Sequence, residues 1–287
     1  MDSKLRSVKK IVKGSETSDG AGVRLRRYIA SPELDMLDPF LLLDAFRSDN
    51  PDDYIAGFPP HPHRGFETVT YLLQGAMRHK DSAGHEGVIR SGGVQWMTAA
   101  SGIEHSEMPE QVEGLLYGFQ LWVNLPANKK MSKPRYQEFE PNEMSIEQRN
   151  EYTKIRVISG VTAGGVEGMV KNIESSPLYL DVELAEGSVF AENIEPEHNA
   201  FIFLVNGELN LFSDTENNVL QSEQLAVLGD GDQIKLEAKQ SSRFLLIAGK
   251  PFNEPVARYG PFVMNTEAEI KQAFIDYRAG EFGSINE

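Results

Sequence analysis

Thr68-Val69-Thr70-Tyr71-Leu72-Leu73, running into Gln74-Gly75, and Ala200-Phe201-Ile202-Phe203-Leu204-Val205, running into Asn206-Gly207, are two versions of one pattern. Each is a stretch of β-branched and aromatic residues closed by a polar-glycine turn, and each is followed by a second strand-like run. The two copies lie half a chain apart, which predicts a duplicated β-domain, since solenoid repeats would recur every ~20–50 residues. Short strands with glycine-rich turns must each bury one face against another sheet, so the expected fold class is all-β, built as sandwiches or barrels. One helix is expected near the C-terminus. Thr266 and Glu269 fit a capping box, Ile270, Ala273, Phe274 and Tyr277 recur at helical spacing, and Gly280 stops the pattern. Residues 126–152 are rich in Lys, Glu, Asn, Pro and Met with little alternation and read as a linker with a short helix from Ser145. The expected organisation is an N-terminal domain at 1–134, a linker at 135–152 and a C-terminal domain at 153–287 ending in the helix.

Composition narrows the function. The 287 residues suit two β-domains of about 100–150 residues each. With 40% apolar and 25% charged residues, and no apolar run near the ~20 needed to cross a bilayer, neither a membrane protein nor a disordered chain is expected. The N-terminus leads into charged sequence without the apolar stretch of a secretory leader, so the expected compartment is the cytoplasm. Forty-three acidic against twenty-eight basic residues give a net charge of −15, which disfavours nucleic acid as a partner. The short basic clusters Lys9-Lys10, Arg26-Arg27 and Lys129-Lys130 read as solvated surface. Cysteine is absent, so any metal must be bound by histidine and carboxylate.

Three of the six histidines fall in two compact clusters, Pro60-His61-Pro62-His63 and Ile103-Glu104-His105-Ser106-Glu107. Side chains alternate along a strand, so His61 and His63 point the same way, as do His105 and Glu107. Two adjacent strands would then bring three imidazoles and a carboxylate to one point. This donor set suits a divalent transition metal and leaves positions open for substrate or dioxygen. Glu67 shares the face of His61 and His63 if the strand is regular, as a further ligand, an acceptor for an imidazole N–H or plain structure. His79 and His85 flank a turn-like stretch and read as surface residues. Matching the two glycine turns sets His61 and His63 opposite Asn193 and Glu195, so the second copy has lost the ligands and is expected to be structural or lid-like.

At these residues the chain resembles the pirin family of bicupins. The resemblance rests on Phe58-Pro59-Pro60-His61-Pro62-His63-Arg64-Gly65-Phe66-Glu67-Thr68 and Gln95-Trp96-Met97-Thr98-Ala99 through His105-Ser106-Glu107-Met108-Pro109. It extends from Asp38-Pro39-Phe40-Leu41-Leu42-Leu43-Asp44 to Gly260-Pro261-Phe262-Val263-Met264-Asn265-Thr266. Spacing around Gly57 and Gly93 departs from cupins in general. The resemblance implies two stacked cupin jelly-roll barrels, with one metal per chain on His61, His63, His105 and Glu107. It favours Glu107 over Glu67, and Fe(2+) as the metal, with Zn, Mn, Ni, Cu or Co as alternatives.

The family resemblance also implies a quercetin 2,3-dioxygenase, which opens a flavonol ring with dioxygen and releases carbon monoxide. Glu107 would be the catalytic residue, as metal ligand or, once detached, as general base. The expected partners are a small aromatic substrate and dioxygen. Phe66, Met97 and Phe119 are candidate pocket walls. The competing class is a non-catalytic metal-binding module that regulates or docks a protein partner. A sugar-phosphate isomerase would need Lys or Arg aimed at the metal pocket, and Arg64 points away from His63.

Overall fold

The computed structural model describes residues 4–111, 113–214 and 217–282. The chain is mostly strand and divides into two compact units: Ser15–Ser31, Phe40–Asn142 and Phe252–Glu287 form one, and Met1–Gly14, Pro32–Pro39 and Glu143–Pro251 form the other.

The first unit has a seven-stranded sheet, in the order Arg135–Phe139, Val94–Thr98, Phe66–Gln74, Leu116–Asn124, Phe40–Ser48, Val23–Ile29, Ser15–Asp19. Its four-stranded sheet runs Phe58–His63, Ile103–Pro109, Ala76–Asp81, Glu86–Arg90. Leu25, Phe46, Leu72, Met77 and Ile89 fill part of the space between them. The second unit repeats the plan: a seven-stranded sheet from Val8–Val12 to Ser145–Asn150, and a four-stranded sheet in the order Val189–Asn193, Gln233–Ala238, Glu208–Leu211, Asn218–Gln221. Its interior is almost wholly aliphatic, with Leu180, Ile202, Ile234, Leu236 and Leu246 at its centre.

The units are drawn differently from the expected 1–134 and 153–287. Val8–Val12 pairs with Gln224–Leu228, so the start of the chain completes the second unit. Residues 252–287, including the helix, belong to the first. The helix itself forms as expected, over Glu267–Arg278. Thr266 and Glu269 make both bonds of the capping box, and Gly280 follows with φ 80°. Ile270 and Ala273 pack with Phe262, Met264 and Phe282. Arg64, almost fully buried, reaches this helix through a 2.6 Å bond to Asp276. The preceding segment crosses Gly65 so closely that a Cβ there would collide with the Val263 carbonyl, and Gly65 has φ 88°.

The expected linker at 135–152 is two strands. Arg135–Phe139 pairs with Val94–Thr98, and Ser145–Asn150, read from sequence as a helix, pairs with Thr153–Ser159. Glu147, Gln148 and Arg149 favour helix intrinsically, but the free sheet edge and the Arg149–Glu147 and Arg149–Glu192 ion pairs override that preference.

Candidate metal centre

His61 and His63 lie on Phe58–His63, and His105 lies on the adjacent Ile103–Pro109. His105 stands directly opposite His61, and Ile103 opposite His63. Directly paired residues share a face, so the three imidazoles converge. Ring centroids are 4.4 Å apart for His61 and His105, 4.7 Å for His61 and His63, and 4.9 Å for His63 and His105. One nitrogen from each ring lies within 4.8 Å of the others. Beyond His105 the register slips, so that Glu107 pairs with Phe58. The extra residue falls at Pro59-Pro60, which cannot donate to the ladder, and a bulge there is the natural outcome.

The nitrogens are arranged as a metal site requires. His61 Nδ1 lies 2.8 Å from the Pro59 carbonyl and His63 Nδ1 lies 3.4 Å from the Pro261 carbonyl. Donation from Nδ1 to a carbonyl fixes the tautomer and leaves Nε2 bare for a cation. Both ring nitrogens of His105 are buried without a hydrogen-bond partner among the described residues. Such groups cost about 1–3 kcal/mol each unless something pairs with them. Burial holds the His63 and His105 imidazoles well below the ordinary histidine range, and repulsion from His61 adds to this in both. They are therefore neutral at pH 7, the form that ligates. The His triad fits a divalent metal.

Glu107 is buried beside the triad but outside the close group of three. Its carboxylate accepts from Thr70 Oγ1 at 2.6 Å and from Gln120 Nε2 at 2.9 Å. Glu67 also lies outside the close group. The Gly65 turn breaks the strand that sequence reading had made continuous, which puts Glu67 on the other sheet. There it accepts from Thr98 Oγ1 at 2.6 Å. His79 is not a surface residue: it is buried, pairs with Glu107 across the ladder, and its Nε2 lies 3.0 Å from Glu138. Burial lowers its pKa, against the pull of Glu138. His85 is exposed, beside Asp81.

A cavity of about 850 Å³ opens onto His61, His63 and Glu107. Its apolar walls are Leu25, Leu42, Phe46, Phe58 and Trp122, with Tyr259 and Pro261 from the C-terminal segment. The expected walls Phe66, Met97 and Phe119 are fully buried instead. Phe66 backs His63 and Trp122, at 5.1 and 4.4 Å between rings. Alternation along Leu116–Asn124 could have favoured Trp122 and Gln120 over Phe119. Nothing local points to Tyr259 or Pro261, which come from nearly 200 residues away.

Residues 22–123 match the family model described as Pirin, and residues 179–283 match the Pirin C-terminal cupin domain. The chain belongs to the pirin family. It is 51% identical over 278 residues to a pirin-like protein of Caulobacter vibrioides, covering 97% of this chain and 99% of that one. It is 44% identical to human pirin over 271 residues, 93% of this chain and 91% of that one. A crystal structure of quercetin 2,3-dioxygenase from Acinetobacter baumannii superimposes with a TM-score of 0.88 at 34% identity, covering 98% of this chain and all of that one. Both units of this pirin-family chain are cupin domains, and the His triad belongs to the first.

Proposed function

We propose that the protein is an iron-dependent dioxygenase that opens the ring of quercetin-like flavonols. The observation that carries this reading is the His triad, oriented for a cation and opening into a largely apolar cavity of about 850 Å³. The relationship to the Acinetobacter quercetin 2,3-dioxygenase supports it. His61, His63, His105 and Glu107 would hold the metal, which supplies a Lewis-acidic, redox-active centre able to engage dioxygen.

The chain's own residues do the rest. Glu107 accepts the proton of the flavonol hydroxyl as the substrate enters. Thr70 and Gln120 fix the carboxylate, so the acceptor is in place beforehand. Leu25, Phe46 and Trp122 exclude water and sandwich a planar ring system. Flavonol plus dioxygen gives the ring-opened ester, with a new carboxyl group, plus carbon monoxide, and every atom and proton is accounted for when that carboxyl is written as the acid. The proton held on Glu107 therefore returns to the product.

The test is anaerobic loading with iron, then admission of oxygen with quercetin. Oxygen uptake with release of an equal amount of carbon monoxide is expected. Protein with stoichiometric iron that consumes no oxygen on quercetin or its analogues would instead be a non-catalytic metal-binding module.

A further inference from the structure

The seven-stranded sheet of the first unit carries a polar row across its inner face. Glu138, Gln95, Thr70, Gln120, Asp44 and Arg27 stand directly opposite one another on six consecutive strands. The metal-side stretch of the row is accounted for, since Thr70 and Gln120 hold Glu107 and Gln95 donates to Glu138. Arg27 and Asp44 are not. They line the same cavity, Asp44 one strand and Arg27 two strands beyond Gln120, which at the ordinary strand spacing is about 5 and about 10 Å along the wall.

Arg27 grips Asp44 in a bidentate pair, Nε to Oδ1 at 2.8 Å and Nη2 to Oδ2 at 2.7 Å, and Nη2 also reaches Asp19. Taking such a pair out of water costs several kcal/mol per ion before the mutual attraction offsets it. The fold does not need it: the corresponding inward positions of the second unit, Val157 and Leu180, are aliphatic and fully buried. Nor is its hydrogen-bonding capacity used up. Arg27 Nη1 has no protein partner among the described residues, and each Asp44 oxygen keeps a second acceptor site. A donor and an acceptor thus sit side by side in an apolar wall, at a fixed distance from the triad. Adjacent hydroxyls on one ring complement them, one donating to the carboxylate and the other accepting from the guanidinium.

We propose that the Arg27–Asp44 pair is a specificity element that binds the two neighbouring hydroxyls of a catechol ring, at the end of the substrate farthest from the His triad. The assignment rests on the flavonol reading of the cavity. It makes catechol-bearing flavonols the preferred class over those with a bare outer ring.

Binding tests this apart from turnover. Metal-loaded protein, kept anaerobic, is titrated with quercetin, with kaempferol, which has one hydroxyl on that ring, and with galangin, which has none. Wild type should bind in that order. Asp44→Asn should weaken quercetin about 10-fold or more, as expected for a hydrogen bond to a charged group, and leave galangin within about 2-fold. The double change Arg27→Met with Asp44→Leu imitates the aliphatic second unit and leaves no buried charge unpaired. Asp19, which loses its bond to Arg27, is half exposed and stays hydrated. The double change should abolish the preference for quercetin at unchanged metal content. Equal loss for quercetin and galangin, or no loss for either, overturns the inference while the flavonol reading stands. Wild type that binds none of the three overturns the flavonol reading, and the inference with it.

Discussion

In the first unit the row that crosses the sheet at Thr70 reads Arg27, Asp44, Gln120, Thr70, Gln95, Glu138. The row at Ile202, which stands equally far before its turn in the second, reads Val157, Leu180, Leu246, Ile202, Ala226, Ile11. The smaller sheets differ in the same way. His79 opposite Glu107 becomes Leu211 opposite Leu236, and His105 becomes Ile234. Strand order, turn and the register along these rows are shared, so the fold is indifferent to which filling it carries. The aliphatic filling is the one that packing alone would select. Every polar group in the first unit is a departure from it, and such departures concentrate where a protein handles a ligand.

The sharpest way to break this comparison is at the triad. His105→Ala should lower metal affinity sharply, because one of the three converging imidazoles is lost, and metal analysis after dialysis should find the site emptied. Full retention of metal would remove the first unit's claim to be different. Next, a polar group planted in the aliphatic row, Leu246→Asn, should destabilise the second unit by about 3 kcal/mol, since an unpaired amide and a small void replace a fully buried side chain. Denaturant melting that shifts by under about 1 kcal/mol would mean that both rows tolerate polarity.

Glu107→Gln keeps shape and an oxygen donor but loses basicity. Turnover should drop about 10²-fold, with metal content falling less. Equal turnover in variant and wild type would leave the metal site intact and dismiss the carboxylate from the chemistry. The most gradual effect is in pH. The folded-state pKa values of His63 and His105 lie well below the ordinary value of 6.5. The unfolded chain therefore takes up protons at these two residues first as pH falls. Metal-free protein should be fully stable above about pH 6.5 and lose roughly 1.4 kcal/mol per pH unit for each histidine below it. His105→Leu should flatten that slope. A slope unchanged in this variant would place the acid sensitivity elsewhere.

What could be read from sequence followed from short range. The His61/His63 pair and the placement of His105 need only strand alternation, and the Thr266–Glu269 cap needs one turn of helix. The family resemblance carried the Glu107 assignment, which hydrogen bonds from Thr70 and Gln120 now accompany. What could not be read depends on partners far away in the chain. His79 looks like a turn residue until Glu138 closes over it, and Arg135–Phe139 looks like linker until it meets the edge at Val94–Thr98. Counting from the glycine turn set His61 opposite Asn193, whereas the ladder pairs the position of His105, Ile234, with Glu192. The one-residue difference lies in the chain between the two strands, where Glu192 to Ile202 spans ten residues and His61 to Thr70 spans nine, and a count from a turn assumes these are equal.

The Pro261 carbonyl beside His63 has a consequence for how the protein is made. It sits in the segment that the ribosome delivers after all of residues 143–251, although the His63 it orients emerged long before. Domains generally fold as they appear, N-terminal first. Here the second cupin has all its strands in hand while the first still waits for Phe252–Met264 and the helix. A stalled or prematurely ended chain would therefore carry all three histidines, and bind the ion poorly, until the final stretch arrives to lock the ring.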